Sequence, residues 1–184
     1  RSGMGGGSMN AASLINYFFK KKIFNIDKKE LIKLANLVGS DVILGVSPKN
    51  TVLSSNGKLT KFNEKLGYYA LVVKPSFGCS TSLIYSKVKY FSKLKYNSPR
   101  QSLFNTKNIV NSKNDLEQIA FKIYPKLKKV KLFLIKLPNV IFARMSGSGS
   151  SIVAYFYSKR ATDNAAKKFK RKFNSYWCIT SKTI

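Results

Sequence analysis

No histidine occurs anywhere in the 184 residues. That excludes a Ser-His-Asp or Cys-His nucleophile and any ordinary zinc site built from these side chains. Cysteine is nearly absent: Cys79 and Cys178 lie far apart with no CxxC spacing. They provide neither a metal site nor a disulfide framework, a usage that fits a reducing compartment. No apolar run approaches the roughly 20 residues needed to cross a bilayer. The opening Arg1-Ser2-Gly3-Met4-Gly5 lacks the cationic and apolar stretches of a signal peptide. The expectation is a cytoplasmic protein with no membrane partner. There is no initiator Met, and a glycine motif begins at once, so the chain is expected to be a fragment missing its natural N-terminus.

What is present bounds the answer further. Hydrophobic residues make up 44%, with 13 Phe and 10 Tyr, so the chain can bury a core as one large domain or two small ones. Against seven acidic residues stand 34 Lys and Arg, a net charge of +27. Such an excess invites a nucleic-acid reading. Only five of these basic residues are Arg, however, the side chain best suited to bidentate phosphate and base contacts. The lysines are spread along the whole chain, and Asn, Ile, Phe and Tyr are abundant beside them, a pattern of codons rich in A and T. A solvated lysine-rich surface is the reading preferred here, with no nucleic-acid partner. The charge would in either case attract anionic substrates.

Periodicity divides the chain into mixed elements. Ser8 can cap a helix carrying Ala11, Leu14, Ile15, Phe18 and Phe19, with Lys20-Lys21-Lys22 at its C-terminus. Asp27 and Glu30 form a capping-box pattern before Leu31, Leu34, Ala35 and Val38, and Gly39 ends that helix. A short apolar run spans 41–46, Thr51 to Leu53 predicts a strand, and Asn56-Gly57 predicts a turn. Near Leu66-Gly67 the character changes. Tyr68 to Val73 reads as a buried strand stopped by Pro75, Ser80 to Leu94 as a helix or an extended segment, and Tyr96 to Asn111 as a polar loop. Ser112 with Asp115 predicts a helix start through Ile119 and Ile123 towards Leu127, kinked or ended by Pro125. Strands at Val140–Met145 and Ile152–Tyr157 flank Ser146-Gly147-Ser148-Gly149-Ser150; a helix over Thr162–Phe173 and a strand over Tyr176–Thr180 complete a ferredoxin-like order.

Three segments could carry chemistry. In Gly3-Met4-Gly5-Gly6-Gly7-Ser8-Met9-Asn10-Ala11-Ala12, four glycines in five residues let backbone N–H groups approach a ligand. The helix behind adds its positive dipole end, which makes a phosphate cradle, though a flexible linker would look the same. No Gly-Lys-Ser/Thr follows, so it is not a Walker A loop. Among the seven carboxylates, Asp27 and Glu30 read as a capping box, Asp115, Glu117 and Asp163 as first-turn acids, and Glu64 as a loop residue. Asp41 differs, because apolar neighbours on both sides suggest burial, which is costly for an unpaired carboxylate. It is either a cap or a catalytic or metal-binding group. The Ser146–Ser150 loop is either a plain hairpin turn or a second anion-binding loop.

In this order the segments resemble the GHMP kinases. Gly3 to Ala12 resembles the family's glycine loop in its G-L-G-G-G-S-S-N/D-A-A form, and Leu37-Val38-Gly39-Ser40-Asp41-Val42 resembles the L-G-A-D-V-P segment with the catalytic aspartate. Met145 to Ser150 resembles the T/S-G-S/T-G motif, and Asn114-Asp115-Leu116-Glu117 the N-D-L/C-E helix start. The resemblance implies an α/β (α+β) two-domain fold: a ribosomal-protein-S5-like nucleotide-binding half over residues 1–66, then a ferredoxin-like domain over 67–184. It implies an enzyme that uses ATP and Mg2+ to phosphorylate the 2-hydroxyl of a cytidine-diphosphate-linked methylerythritol in non-mevalonate isoprenoid synthesis, working as a monomer or homodimer. On that analogy Gly3, Met4, Gly5, Gly6, Gly7, Ser8, Met9 and Asn10 hold the ATP phosphates, with Ser8 the Mg2+-side hydroxyl. Asp41 takes the substrate proton, and Gly147, Ser148 and Gly149 close over the transferring phosphate. Thr81 and Tyr85 align with the segment that sets an aromatic ring against cytosine, where a core or surface Tyr is the alternative.

The sequence departs from the family at Met9, where relatives have a second Ser, and at Ile43, where they have Pro. The family's N-terminal strand with its catalytic Lys has no counterpart in this sequence, which leaves open whether the chain works alone. Rival readings are a GHMP kinase for another alcohol, a basic nucleic-acid-binding domain, and a catalytically dead relative.

Overall fold

The computed structural model describes residues 3–23, 25–39, 41–54, 59–63, 66–93 and 99–183. They fall into two compact units, Gly5–Asn63 and Glu64–Ile184 with Arg1–Met4. The turn expected at Asn56-Gly57, residue 40 of the aspartate segment and residues 94–98 lie outside the described residues.

In the unit Gly5–Asn63, α1 (Gly6–Lys20), α2 (Lys28–Val38) and α3 (Val42–Val46) precede a hairpin of β1 (Asn50–Leu53) and β2 (Leu59–Phe62), paired antiparallel from Asn50↔Phe62 to Leu53↔Leu59. Ser8 is not the cap of α1. Gly5 holds that position at φ 60, and Ser8 lies inside the first turn. A left-handed glycine starts the helix three residues earlier than a Ser8 cap would. The buried stripe of α1 is Ala12 and Ile15 with Ala11 and Phe19 against it, whereas Leu14 is 57% exposed. The capping box of α2 forms as read: Glu30 N–H donates to Asp27 at 2.8 Å and Asp27 N–H to Glu30 at 2.9 Å. Leu31 and Ala35 are buried, while Val38 points outward.

The second unit runs β3 (Tyr69–Lys74), α4 (Thr81–Ser86), α5 (Thr106–Asn111), α6 (Asp115–Ile123), α7 (Pro125–Ile135), β4 (Val140–Met145), β5 (Ile152–Phe156), α8 (Lys159–Lys172) and β6 (Trp177–Lys182). Its sheet has the order β4-β5-β3-β6, antiparallel throughout. This β-α-β-β-α-β succession is the ferredoxin-like arrangement. One face is sealed by helices: Leu71, Val73, Ile152, Ala154 and Phe156 pack with Leu127, Val130, Leu134, Ala165 and Phe169. Each fully buried large side chain contributes about 1.5–3 kcal/mol.

Three boundaries differ from the periodicity reading, each for a local reason, and at Pro125 the expected end of one helix is also the start of the next. The stretch read as a loop up to Asn111 contains α5, which Asn105 caps by accepting the Asn108 N–H at 2.9 Å. The helix expected from Ser112 begins after Asn114, which caps the Leu116 N–H at 3.0 Å. Pro125 starts a new helix as its first residue, where it has no N–H to lose. Ser158 caps α8 ahead of Thr162, which lies buried inside the helix.

Candidate active site

Within the unit Gly5–Asn63, the first turn of α1 is bare. The helix hydrogen bonding opens with Met9 N–H to the Gly5 carbonyl at 2.8 Å. Among the described residues, the N–H groups of Gly6, Gly7 and Ser8 therefore have no backbone acceptor, as at any helix start. Among the described residues no side chain caps them, and no acidic residue stands in that turn. A Cβ at Gly5, Gly6 or Gly7 would meet nothing within 4 Å. Packing therefore does not demand glycine here, although Gly inside a helix costs about 1 kcal/mol against Ala. What the missing side chains provide is open access to three N–H groups at the positive end of the helix. Ser8 and Met9 are half-buried, and Asn10 faces solvent.

Asp41 stands at the N-cap of α3, in the unit that also holds this helix start. Its flanking apolar residues suggested burial, and the structure corrects that: Val42 and Ile43 turn into the core while Asp41 itself is exposed. Its side chain makes no capping hydrogen bond. A carboxylate at a cap position that caps nothing keeps its oxygens free for another partner. The helix it starts packs closely on α1. A methyl group at Gly45 would come within 2.6 Å of Ala12 Cβ and 2.9 Å of Met9 Sδ, and Asn16 Nδ2 donates to the Gly45 carbonyl at 3.3 Å. Met9, the departure from the glycine motif, thus packs on α3.

The other unit brings together several of the remaining sequence-predicted residues. Ser146 Oγ donates to the Gly3 carbonyl at 2.7 Å. Gly3 has φ +68, and a Cβ there would lie 2.2 Å from the Ser146 carbonyl oxygen and 2.7 Å from that of Gly149. Gly147 and Gly149 also have positive φ, 51 and 83. The loop closes on itself through Gly149 N–H to Ser146 O and Ser146 N–H to Ser151 O, both 2.9 Å. Ser148 Oγ shares a hydrogen bond with Thr81 Oγ1 at 2.9 Å, and Ser150 Oγ donates to the Phe77 carbonyl at 2.8 Å. Gly147 is exposed. Among the described residues, the N–H groups of Gly147 and Ser148 make no hydrogen bond. Thr81 begins α4 after the cap residue Ser80, and Tyr85 on the same helix is 52% exposed. Met4 is 40% exposed. Beneath the loop sits Cys79, whose thiol is pushed up by burial and so stays protonated at neutral pH.

Two residues beneath this loop were legible only as part of a motif. Asn114 Nδ2 donates to the carbonyls of Met145, at 2.9 Å, and Gly147, at 2.8 Å. Glu117 accepts the Met145 N–H at 2.7 Å on one oxygen and pairs with Lys131 Nζ at 2.8 Å on the other. Glu117 reads from the sequence as a first-turn acid, but its carboxylate turns to the strand instead. Asp115 between them accepts the N–H and hydroxyl of Ser92, bonds that hold its carboxyl below the usual aspartate range. Among the described residues no cluster of three acidic, Cys or His side chains could hold a metal ion.

The family model described as GHMP kinases C terminal matches residues 100–177. A 4-diphosphocytidyl-2-C-methyl-D-erythritol kinase of Pelagibacter ubique (strain HTCC1062) is 56% identical over 184 residues, covering all of this chain and 66% of the relative. The kinase of the same name from Petrotoga mobilis is 32% identical over 164 residues, 85% of this chain and 63% of the relative. That of Clostridium tetani is 30% identical over 190 residues, covering 67% of its length. The chain thus spans about two thirds of the curated relatives it matches. In fold it is similar to a crystal structure of 4-(cytidine 5'-diphospho)-2C-methyl-D-erythritol kinase, with a TM-score of 0.77 at 24% identity over 97% of this chain and 66% of the other. The corresponding values for a homoserine kinase from Cytophaga hutchinsonii are 0.61, 16%, 87% and 58%.

Proposed function

Because the chain belongs to the GHMP kinase family, we propose that its protein transfers the terminal phosphoryl group of ATP to the 2-hydroxyl of 4-diphosphocytidyl-2-C-methyl-D-erythritol. The observation that carries the substrate is the 56% identity, along the whole chain, to a relative named for that reaction. The glycine-bordered N–H groups at Gly6 to Ser8 and at Gly147 and Ser148 support the phosphate half of the reading. On this proposal residues 1–66 belong to the nucleotide-binding domain and 67–184 to the ferredoxin-like domain, in a cytoplasmic enzyme.

The chemistry asks little covalent work of the protein. Phosphoryl transfer depends on positioning and on neutralising charge. On this reading Gly3 to Asn10 hold the ATP phosphates by backbone N–H groups and helix dipole, and within the Gly147–Gly149 bend the N–H groups of Gly147 and Ser148 are the donors left for the moving phosphoryl group. Asp41 accepts the proton of the substrate hydroxyl as its oxygen bonds to phosphorus and the bond to the ADP oxygen breaks. The carboxylate is exposed and makes no capping hydrogen bond, so it is accessible for that task. Magnesium commonly rides on substrate phosphates with only one or two protein oxygens. The residues fit that mode, with Ser8 as the hydroxyl donor, and the ion supplies charge neutralisation of the phosphates when bound. The exposed ring of Tyr85 can stack on cytosine, with Thr81 beside it.

The test is a coupled ADP-release assay on the complete protein, with cytidine-diphospho-methylerythritol and homoserine as rival acceptors. Release with the first alone supports the proposal; release with homoserine alone, or with neither, overturns it.

A further inference from the structure

We infer that Asn114 and Glu117 are positioning residues for the Ser146–Ser150 loop, setting its N–H groups towards the phosphates of ATP. This rests on the kinase reading and adds residues that the reading itself does not require. The Gly147 carbonyl is held by Asn114 Nδ2 at 2.8 Å. The peptide bond that follows is trans, since the one cis bond among the described residues lies between Gly149 and Ser150. In a planar trans peptide the N–H points opposite to the C=O. Fixing the Gly147 carbonyl on Asn114 therefore turns the Ser148 N–H away from α6, and among the described residues that N–H has no hydrogen-bond partner.

The residue before the loop is gripped at both ends. Asn114 takes the Met145 carbonyl at 2.9 Å, and Glu117 takes its N–H at 2.7 Å. Glu117 is itself held by Lys131, with side chains only 14% and 16% exposed, so the carboxylate has little freedom to wander. Asn114 is tied as well, because its Oδ1 caps the Leu116 N–H at 3.0 Å. Loop geometry is thus referred to a helix rather than left to two mobile glycines. Gly147 and Gly149 supply the positive φ that the bend needs and could adopt many others.

The decisive variants keep the helix cap and remove the tether. In the complete protein, Asn114→Ser and Asn114→Thr retain a capping oxygen but are too short to reach two carbonyls. Dissociation of the non-hydrolysable analogue AMP-PNP is measured by calorimetry, with KM for both substrates and the melting temperature alongside. Loss of about tenfold in analogue affinity and ATP KM is expected from a freed loop, with acceptor KM and melting temperature unchanged. Glu117→Gln, which keeps an oxygen for Met145, retains affinity within about threefold, while Glu117→Leu does not. Unchanged ATP affinity in both Asn114 variants overturns the inference. So does a parallel rise in both KM values with a lower melting temperature, which signals a purely structural role. A wild-type protein that binds no AMP-PNP sinks the kinase reading itself, and the positioning role with it.

Discussion

Gly3 and Ser146 lie 143 residues apart in sequence and are joined by a 2.7 Å hydrogen bond from the serine hydroxyl to the glycine carbonyl. The contact leaves no space for a side chain. A Cβ on Gly3 would press into two carbonyl oxygens while its backbone sits at φ +68. Gly3→Ala should therefore push the two segments apart, at about 1–2 kcal/mol for the left-handed conformation alone. The expected result is a lower melting temperature with a raised KM for ATP, read by thermal denaturation and steady-state kinetics. Gly6→Ala, where the space is open and the helix conformation ordinary, should not lower the melting temperature.

Asp41→Asn should reduce kcat by about 10²–10⁴, the usual range for loss of a general base. It should leave the melting temperature unchanged, since the carboxylate is exposed and caps nothing. The ADP-release assay and a thermal melt check both halves, and unaltered turnover would remove Asp41 from the mechanism.

Lys131→Met should destabilise the protein by about 2–3 kcal/mol in urea denaturation, because it strands a nearly buried Glu117 oxygen. Adding Glu117→Gln to that variant should recover part of the loss, since an amide is cheaper to leave unpaired than a carboxylate.

Ser92 should matter at neutral pH and cease to matter in acid. Its two groups hold Asp115 below the usual aspartate range, chiefly through the side-chain hydrogen bond. A folded-state value depressed in this way stabilises the fold above the ordinary aspartate pKa. That contribution is lost as pH falls through the lowered value. NMR titration should show Asp115 moving back up in Ser92→Ala, and wild type should be the more stable protein above about pH 4, with the difference vanishing as pH falls further.

Asp27→Ala should cost about 1 kcal/mol by opening the capping box of α2, and Asp27→Ser should cost much less. Chemical denaturation monitored by circular dichroism distinguishes them.

Features legible in the sequence were those decided locally. The Asp27–Glu30 box needs only four residues to close, and it closed as read. The alternating strands β4 and β5 followed from their own side chains. Where partners far along the chain decide, periodicity was silent. Leu14 and Ala12 are equally plausible on a helical wheel, yet the close approach of Gly45 selects Ala12 for the core. Asp41 looked buried because its neighbours are apolar, but a cap residue faces outward even when the next two turn inward. The tethers from Asn114 and Glu117 reach carbonyl and amide groups about thirty positions away, and main-chain partners leave no imprint on residue type.

One carboxylate, that of Glu117, answers to a strand amide and to a lysine on a neighbouring helix at once. Positions 117 and 131 are therefore bound to a common evolutionary fate. A neutral residue at 117 leaves the lysine without its carboxylate, so exchanges at the two positions are expected to travel together.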